Sequence, residues 1–160
     1  MARAGGDDVI RIIEDDLTSE AARRLVALHL EAMNATSPPG HVHALPADRL
    51  GQPGVTFYTA WFGAILVGMG AIKQLSGDHG ELKSMRAAPG FVGQGVGKAM
   101  LRHLLAEARR RGYARVSLET GSGPVFEPAH GLYTSHGFTD CDGFADYLPN
   151  EFSRTLTLEL

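Results

Sequence analysis

The chain has 160 residues, of which 44% are hydrophobic and 21% charged, and its formal net charge is −3. This length is typical of one domain with one hydrophobic core, so we expect residues 1–160 to form a single domain. The weak negative charge argues against a nucleic-acid-binding surface, and no apolar run is long enough for a transmembrane helix. The single Cys141 cannot form an internal disulfide, which predicts a small buried side chain in a cytoplasmic protein.

The first half of the chain predicts four strands and one helix. Residues 9–13 are rich in β-branched side chains and predict a strand. Thr18 and Ser19 can cap a helix that ends near Asn34, and the prolines that follow predict a loop. Three alternating or apolar runs then predict an antiparallel meander: residues 55–61, 65–72 and 81–87.

The second half is dominated by an amphipathic helix predicted over residues 95–111, with Gly112 as its stop. Three further elements are predicted after it: a strand over residues 113–120, a helix over 126–136 and a strand over 155–160. The predicted order is roughly β-α-β-β-β-α-β-α-β-β, with one strand before 155–160 that has no assigned bounds, and it predicts a mixed α/β sheet. One parallel pair is expected where the long helix connects two strands.

A glycine-rich loop stands directly before the long helix, with four glycines between Gly90 and Gly97. A strand that ends in such a loop and opens a helix directs several backbone N–H groups to one point, where the helix dipole adds positive potential. Glycine lets ligand oxygens approach these amides closely. The loop therefore predicts a phosphate-binding site.

Spacing excludes the two most familiar nucleotide loops. A Walker loop would need glycine where Val92 stands, and serine or threonine where Ala99 stands. The dinucleotide pattern would need glycine at Lys98 or at Met100. What remains is Gly-x-Gly-x-Gly over residues 93–97, at the head of an amphipathic helix.

A resemblance to the GNAT superfamily of acetyl-CoA-dependent N-acetyltransferases lies in the stretch ELKSMRAAPGFVGQGVGKAMLRHLLAEARRRGYARVSLETG. There the family's strand E-L-x-x-M-x-V leads through x-P-x-x-[RQ]-G-x-G-x-[GA] into a helix. The later FEPAHGLYTSHGF resembles the family's A-x-x-L-Y-x-x-x-G-F helix. The chain also resembles a little-characterised bacterial branch of the family, in the segments HGELKSMR, LETG and CDGFADY. The resemblance covers residues 79–138 and implies the GNAT fold, a mixed, mostly antiparallel sheet with a central splay and flanking helices.

Acetyl-CoA is the cosubstrate that this resemblance implies, and no metal is expected. The implied pyrophosphate loop comprises Val92, Gly93, Gln94, Gly95, Val96, Gly97 and Lys98. The backbone of Met85, Arg86 and Ala87 is implied to hold the thioester carbonyl. Two positions depart from the family. Val92 replaces an arginine or glutamine, and Phe126 replaces an asparagine that many members carry three residues before Ala129.

The implied reaction is direct attack of a primary amine on the thioester, without an acyl-enzyme. Tyr133 matches the general acid, and a phenol with a pKa near 10 is protonated at neutral pH. Glu81 is the first choice of general base, and strand alternation predicts that it shares a face with Lys83 and Met85. His79 and Glu119 are the alternatives, and a solvated or ion-paired strand charge would explain any of these groups equally well.

The acceptor remains open between a small-molecule amine and a peptide or protein amine. His41 and His43 form an H-x-H pair without a further ligand motif, so we interpret them as substrate contacts rather than metal ligands. The acidic residues near the C-terminus favour either a cationic acceptor or a solvated face: Asp140, Asp142, Asp146 and Glu151. We expect neither nucleic-acid nor membrane partners. The resemblance is compatible with a homodimer.

Two other functions compete with the transferase. A non-catalytic acyl-CoA binding or sensing module on the same fold would be compatible with the departures at Val92 and Phe126. A small kinase would need ATP affinity and Mg²⁺, and the failed Walker spacing argues against it.

Overall fold

The computed structural model describes residues 9–36, 46–145, 147, 150 and 152–160. Its seven strands are β1 (Arg11–Glu14), β2 (Val55–Phe62), β3 (Ile65–Ser76), β4 (His79–Ala87), β5 (Arg115–Gly121), β6 (Thr139–Asp140) and β7 (Ser153–Glu159). Its helices are α1 (Glu20–Thr36), α2 (Ala47–Leu50), α3 (Val96–Arg110) and α4 (Glu127–Ser135), and a 3₁₀ turn (Pro124–Phe126) precedes α4.

The strands form one sheet in the order β1-β2-β3-β4-β5-β7-β6. All neighbouring pairs are antiparallel except β4 and β5, which flank the α3 connection and run parallel. These two strands pair only where residues 79–81 face residues 115–117, and they separate beyond that point. The mixed sheet with a central splay is therefore confirmed.

The predicted elements agree with the structure apart from their ends and two short additions, helix α2 and the 3₁₀ turn. Strand β3 continues to Ser76 and β4 begins at His79, because the two strands extend one hairpin past the region of alternating side chains. Helix α2 has four residues, too few to show helical periodicity, and the sequence did not predict it. Most of the loop predicted after α1 lies outside the described residues.

The two sheet faces carry separate hydrophobic layers. Helix α3 covers one face with Met100, Leu101 and Leu104. Helices α1 and α2 cover the other with residues that include Leu25, Val26 and Leu50. A Cβ on Gly70 would lie 2.7 Å from Cγ of Met100, so α3 packs this closely on β3 only because the strand has no side chain there. This packing holds the start of α3 beside the end of β4.

A bulge in β4 decides which of its side chains share a face. Lys83 pairs with Ala71 and Arg86 pairs with Met69, so β4 has one more residue than β3 between the two pairs. Ser84, inside the bulge, has a left-handed φ of 55°. Met69 and Ala71 belong to the layer under α1, so Lys83 and Arg86 lie on that face as well.

The prediction that Glu81 shares a face with both Lys83 and Met85 is therefore only half right. Lys83 shares it, since its ammonium contacts Glu81 directly. Met85 does not, because it packs in the layer with α3 on the opposite side. The extra residue of the bulge shifts the period-two alternation by one position.

Candidate active site

A cleft of about 320 Å³ opens where β4 and β5 separate. Its walls are the carboxyl-terminal part of β4, the end of β5, and the sides of helices α1 and α4. Helix α1 contributes His29 and Met33, and α4 contributes Ala129 and Tyr133. The cleft is a consequence of the splay, because fully paired strands would leave no space between them.

The two sides of this cleft differ in chemistry. On the α1 side β4 presents Glu81, Lys83 and Arg86, whereas Met85 lies on the side of α4 together with Tyr133. A polar ligand that needs charged partners suits the first side, and a long apolar or amide-bearing arm suits the second.

The glycine loop leads from β4 into α3 and ends in an open set of donors. Gly95 caps the helix with a left-handed φ of 87°, and Ala99 N–H is the donor that reaches back to its carbonyl oxygen, at 3.0 Å. The N–H groups of residues 96–98 have no acceptor within the helix. A Cβ on Gly93 would meet nothing within 4 Å, so there is room for a ligand beside the loop. This geometry suits a pyrophosphate.

Tyr133 is buried on the apolar side of the cleft. Its hydroxyl lies 3.8 Å from Sδ of Met85, and its ring packs edge-on against Phe138 at a centroid distance of 5.8 Å. Burial raises the pKa of Tyr133 to about 12, because the phenolate would lose its hydration. The side chain is therefore a protonated donor at any pH where an enzyme operates.

Glu81 and Lys83 form a buried ion pair in the cleft wall. The Glu81 side chain is 2% exposed, and Lys83 Nζ donates to its Oε2 at 3.0 Å. The same ammonium donates to the hydroxyl of Tyr147 at 2.8 Å. Among the described residues no hydrogen bond reaches Glu81 Oε1, so that oxygen remains available to a water or an amine.

The two alternative bases lie in different places. His79 is in the paired segment of β4 and β5, where its Nε2 lies 2.7 Å from the hydroxyl of Ser117, and it does not line the cleft. Burial lowers the pKa of His79, which fits a neutral structural histidine. Glu119 follows the paired segment of β5 and does line the cleft.

Comparisons with known proteins show the family to which a chain with this fold belongs. The Acetyltransferase (GNAT) family matches residues 19–138 of the chain. This chain belongs to the GNAT family. It is therefore an acyltransferase, and the resemblance found in its motifs is confirmed.

Three individual proteins illustrate the match. The uncharacterised N-acetyltransferase YedL of Escherichia coli K12 is 49% identical over 146 residues, covering 91% of this chain and 92% of that protein. The structure of a candidate acyl-CoA N-acyltransferase from Klebsiella pneumoniae has a TM-score of 0.75 at 28% identity, with 94% and 97% of the two chains covered. A GNAT acetyltransferase from Elizabethkingia anophelis, solved with acetyl-CoA bound, has a TM-score of 0.70 at 18% identity, with 97% and 100% covered.

The two departures from the GNAT pattern have visible structural settings. Val92 is 75% exposed at the start of the glycine loop and lines the open end of the cleft. Phe126 places its ring over Gly121, where a Cβ would come within 2.3 Å of a ring carbon, and it also lines the cleft. Phe126 thus adds an apolar surface where many family members have a polar amide.

Sequence reasoning missed one pair of residues in this GNAT cleft. Nε of Arg86 donates to Nδ1 of His29 at 2.8 Å, which ties β4 to α1. Burial, with the Arg86 charge second, lowers the pKa of His29 to about 4. The signal that could have found His29 is its spacing of four residues from both Leu25 and Met33, which puts it on the same side of α1. Arg86 was expected to act through its backbone, as the resemblance implied, and local periodicity does not show that its side chain turns to α1.

The remaining predicted site residues lie elsewhere. His41, His43, Asp146 and Glu151 are outside the described residues. Asp140 is exposed and pairs with Arg154. Cys141 is half-buried rather than buried, because it follows the short edge strand β6.

Neither a metal cluster nor a membrane helix occurs in the described part of the chain. No three side chains of histidine, cysteine, aspartate or glutamate come together there as metal ligands. Among the described helices, none is both long and apolar enough to cross a membrane.

Proposed function

We propose that this GNAT protein transfers the acetyl group of acetyl-CoA to a primary amine by direct attack in a ternary complex. One observation carries the proposal. A single cleft is lined by Val92 at the start of the glycine loop, by a buried protonated tyrosine and, on the opposite wall, by a carboxylate. These are the parts that a proton-coupled acyl transfer needs.

The glycine loop is proposed to hold the pyrophosphate through the N–H groups of residues 93–98. The apolar side of the cleft, with Phe126, Ala129 and Tyr133, would then receive the arm that carries the thioester. The free space beside Gly93 supports this placement. The Elizabethkingia protein, which has the same fold, was solved with acetyl-CoA bound.

Acetyl-CoA supplies the acetyl group as a thioester, and the N–C bond to the amine forms as the C–S bond breaks. The backbone at residues 85–87 is proposed to hold the carbonyl oxygen, on which negative charge develops. Glu81 takes the proton that the amine loses, directly or through a water. Tyr133 gives its phenolic proton to the departing sulfur and regains one from solvent.

We place the chain in the cytoplasm as a single domain over residues 1–160, and the seven strands of one sheet support one domain. A homodimer remains compatible with this proposal. Partners other than an amine acceptor are not needed.

The exposed Val92 is compatible with a second function. A loop that lacks the usual side-chain contact could serve an acyl-CoA sensor that performs no chemistry. Such a sensor would bind acetyl-CoA equally well after Tyr133→Phe and would release no thiol with any amine.

Calorimetric titration with acetyl-CoA, CoA and ATP-Mg²⁺ tests the cofactor, and thiol release over a panel of amines tests the transfer. We expect micromolar acetyl-CoA binding, no ATP binding, and amine-dependent thiol release. Acetyl-CoA binding without release from any amine would favour the sensor. A folded protein that does not bind acetyl-CoA would overturn both functions.

A further inference from the structure

Arg86 is a half-buried cation whose ionic partner is missing from the described protein. Its side chain lies on the α1 side of the cleft and contributes to the cleft wall. Burial lowers the pKa of Arg86, which means that the guanidinium has given up hydration on folding. No carboxylate in the described ranges forms an ion pair with it. A charge in this position costs free energy unless a partner of opposite charge offsets the loss.

The structure gives Arg86 a neutral partner instead. Its Nε donates to Nδ1 of His29 at 2.8 Å, and His29 is 7% exposed with a pKa lowered to about 4. The imidazole is therefore uncharged at neutral pH, and since Nδ1 accepts, its proton lies on Nε2. Such a partner fixes the guanidinium in one orientation and leaves its positive charge intact.

The other described arginines either pair with a carboxylate or are exposed to water. Four of them pair with carboxylates: Arg24 with Glu20, Arg110 and Arg111 with Glu107, and Arg154 with Asp140. Their charges are offset within the protein. The use of Nε by His29 leaves the two terminal nitrogens of Arg86 for another ligand, in the fork that matches a carboxylate.

The position of Arg86 in the strand restricts the size of that ligand. The residue lies in the same short segment, 85–87, whose backbone is proposed to hold the reacting carbonyl. An anion on its side chain would lie within the reach of one arginine from the acetyl group. A compact amine whose own carboxylate is close to its nitrogen meets this condition, and a polyamine or a lysine in a protein chain does not.

We propose, building on the proposed function, that the acetyl acceptor is an amine with a free carboxylate, such as an amino acid, and that Arg86 binds this carboxylate bidentately. His29 is a positioning residue that orients the guanidinium. Lys83 does not compete for the carboxylate, because its ammonium is engaged by Glu81 and Tyr147. The acceptor is then anionic at one end, contrary to the cationic acceptor that the acidic residues near the C-terminus favoured.

Matched substrate pairs test the inference. Thiol release from acetyl-CoA is measured with the standard L-amino acids and with their carboxamides, which have the same side chain and amine but no carboxylate. We expect kcat/KM to be at least ~100-fold higher for the best acid than for its amide, because a site built for a charged group rejects the analogue that lacks it. The amide has the less basic amine, so the ionisation of the amine would favour the opposite order.

Variants assign the preference to Arg86. Arg86→Gln is expected to lower kcat/KM for the acid ~100-fold, mainly through KM, and to change the amide and acetyl-CoA affinity less than ~3-fold. Arg102→Gln, at an exposed arginine of α3, is the matched control and should change none of these values. His29→Asn retains an acceptor near the position of Nδ1 and should preserve most of the preference, whereas His29→Phe should raise KM ~10-fold.

Direct binding separates this inference from the proposed function. The acids, the amides and O-phosphoethanolamine are titrated into CoA-loaded wild type and Arg86→Gln. Carboxylate-dependent binding that is lost in Arg86→Gln supports the inference, even if no amine is acetylated. The absence of acetylation would refute the transferase instead. Equal binding or turnover of acids and amides overturns the inference while leaving the transferase intact. Use of O-phosphoethanolamine in place of every amino acid also overturns it.

Discussion

The hydroxyl of Tyr133 lies 3.8 Å from the sulfur of Met85, so helix α4 meets strand β4 just after its bulge. This contact places a proton donor on the apolar side of the cleft, beside the backbone proposed to hold the thioester carbonyl. The polar side, with Glu81 and Arg86, lies across β4. The bulge thus separates the proposed cosubstrate side from the proposed acceptor side.

Tyr133→Phe should remove the proton donor and retain the shape of the cleft. We expect kcat to fall ~10²–10³-fold, as for loss of a general acid, with the Kd for acetyl-CoA changed less than ~3-fold. Tyr113→Phe is the control, because Tyr113 is equally buried but does not line the cleft. Rate measurement and calorimetry on both variants check this. A Tyr133→Phe enzyme with wild-type kcat would rule out the assigned role.

The alkaline side of the pH profile should show no loss of the acid. Because burial raises the pKa of Tyr133 to about 12, the phenol stays protonated to at least pH 10, where an ordinary tyrosine would be half ionised. We expect kcat to rise as the amine loses its proton and not to fall below pH 10. A descending limb below pH 10 that disappears in Tyr133→Phe would contradict this.

The ion pair of Glu81 and Lys83 should be strongly coupled in stability. Glu81→Leu leaves a buried ammonium without its carboxylate and should lower the free energy of unfolding by roughly 3–5 kcal/mol. The double variant Glu81→Leu/Lys83→Met should recover most of this loss, because no charge remains buried. Urea unfolding of the two single variants and the double variant measures the coupling. The exposed pair of Arg24 and Glu20 should show no measurable coupling, and additive losses at Glu81 and Lys83 would speak against a tight pair.

Val92→Arg should restore the side chain that the family usually carries at the start of the loop. We expect acetyl-CoA to bind roughly 5-fold more tightly, from about 1 kcal/mol of charge-assisted contact, with a steeper dependence on salt. Val9→Arg, at another exposed valine remote from the loop, should leave the affinity unchanged. Calorimetry at two salt concentrations checks both. An unchanged affinity in Val92→Arg would mean that the pyrophosphate does not bind beside this residue.

The protein should lose stability as the pH falls into mild acid, because His29 then takes up a proton on unfolding. Its folded pKa of about 4 lies below the ordinary value of 6.5, so between these values the unfolded chain binds more protons. The stabilisation is complete above pH 6.5, and up to about 3 kcal/mol of it is lost as pH falls to 4. Denaturant unfolding of wild type and His29→Asn from pH 7 to pH 4.5 tests this. Equal pH dependence in the two proteins would refute it.

Local patterns predicted most strands of the sheet, the glycine loop and the side of the cleft that contains Tyr133. The helix over residues 95–111 and the strands before it were predictable, because hydrophobic periodicity and turn residues act over a few positions. The glycine loop was predictable for the same reason, since its function depends on backbone freedom at consecutive residues. Tyr133 was found through the motif around it, which the family match over residues 19–138 supports.

The acceptor side of the cleft was not predictable in this way. A one-residue bulge after Lys83 decided that Arg86, and not Met85, shares the face of Glu81. Neither the bulge nor the partner His29, which is 57 positions away, follows from local periodicity.

The sequence by itself determined the order of the main strands and helices along the chain, the glycine loop before α3 and the family, because each depends on neighbouring residues. Only the tertiary structure decided which charges face one another across the cleft. It paired Glu81 with Lys83 and gave Arg86 a neutral imidazole. The physical reason is that the pairing of charges depends on strand register and on helix packing, which are set by contacts between segments distant in the chain.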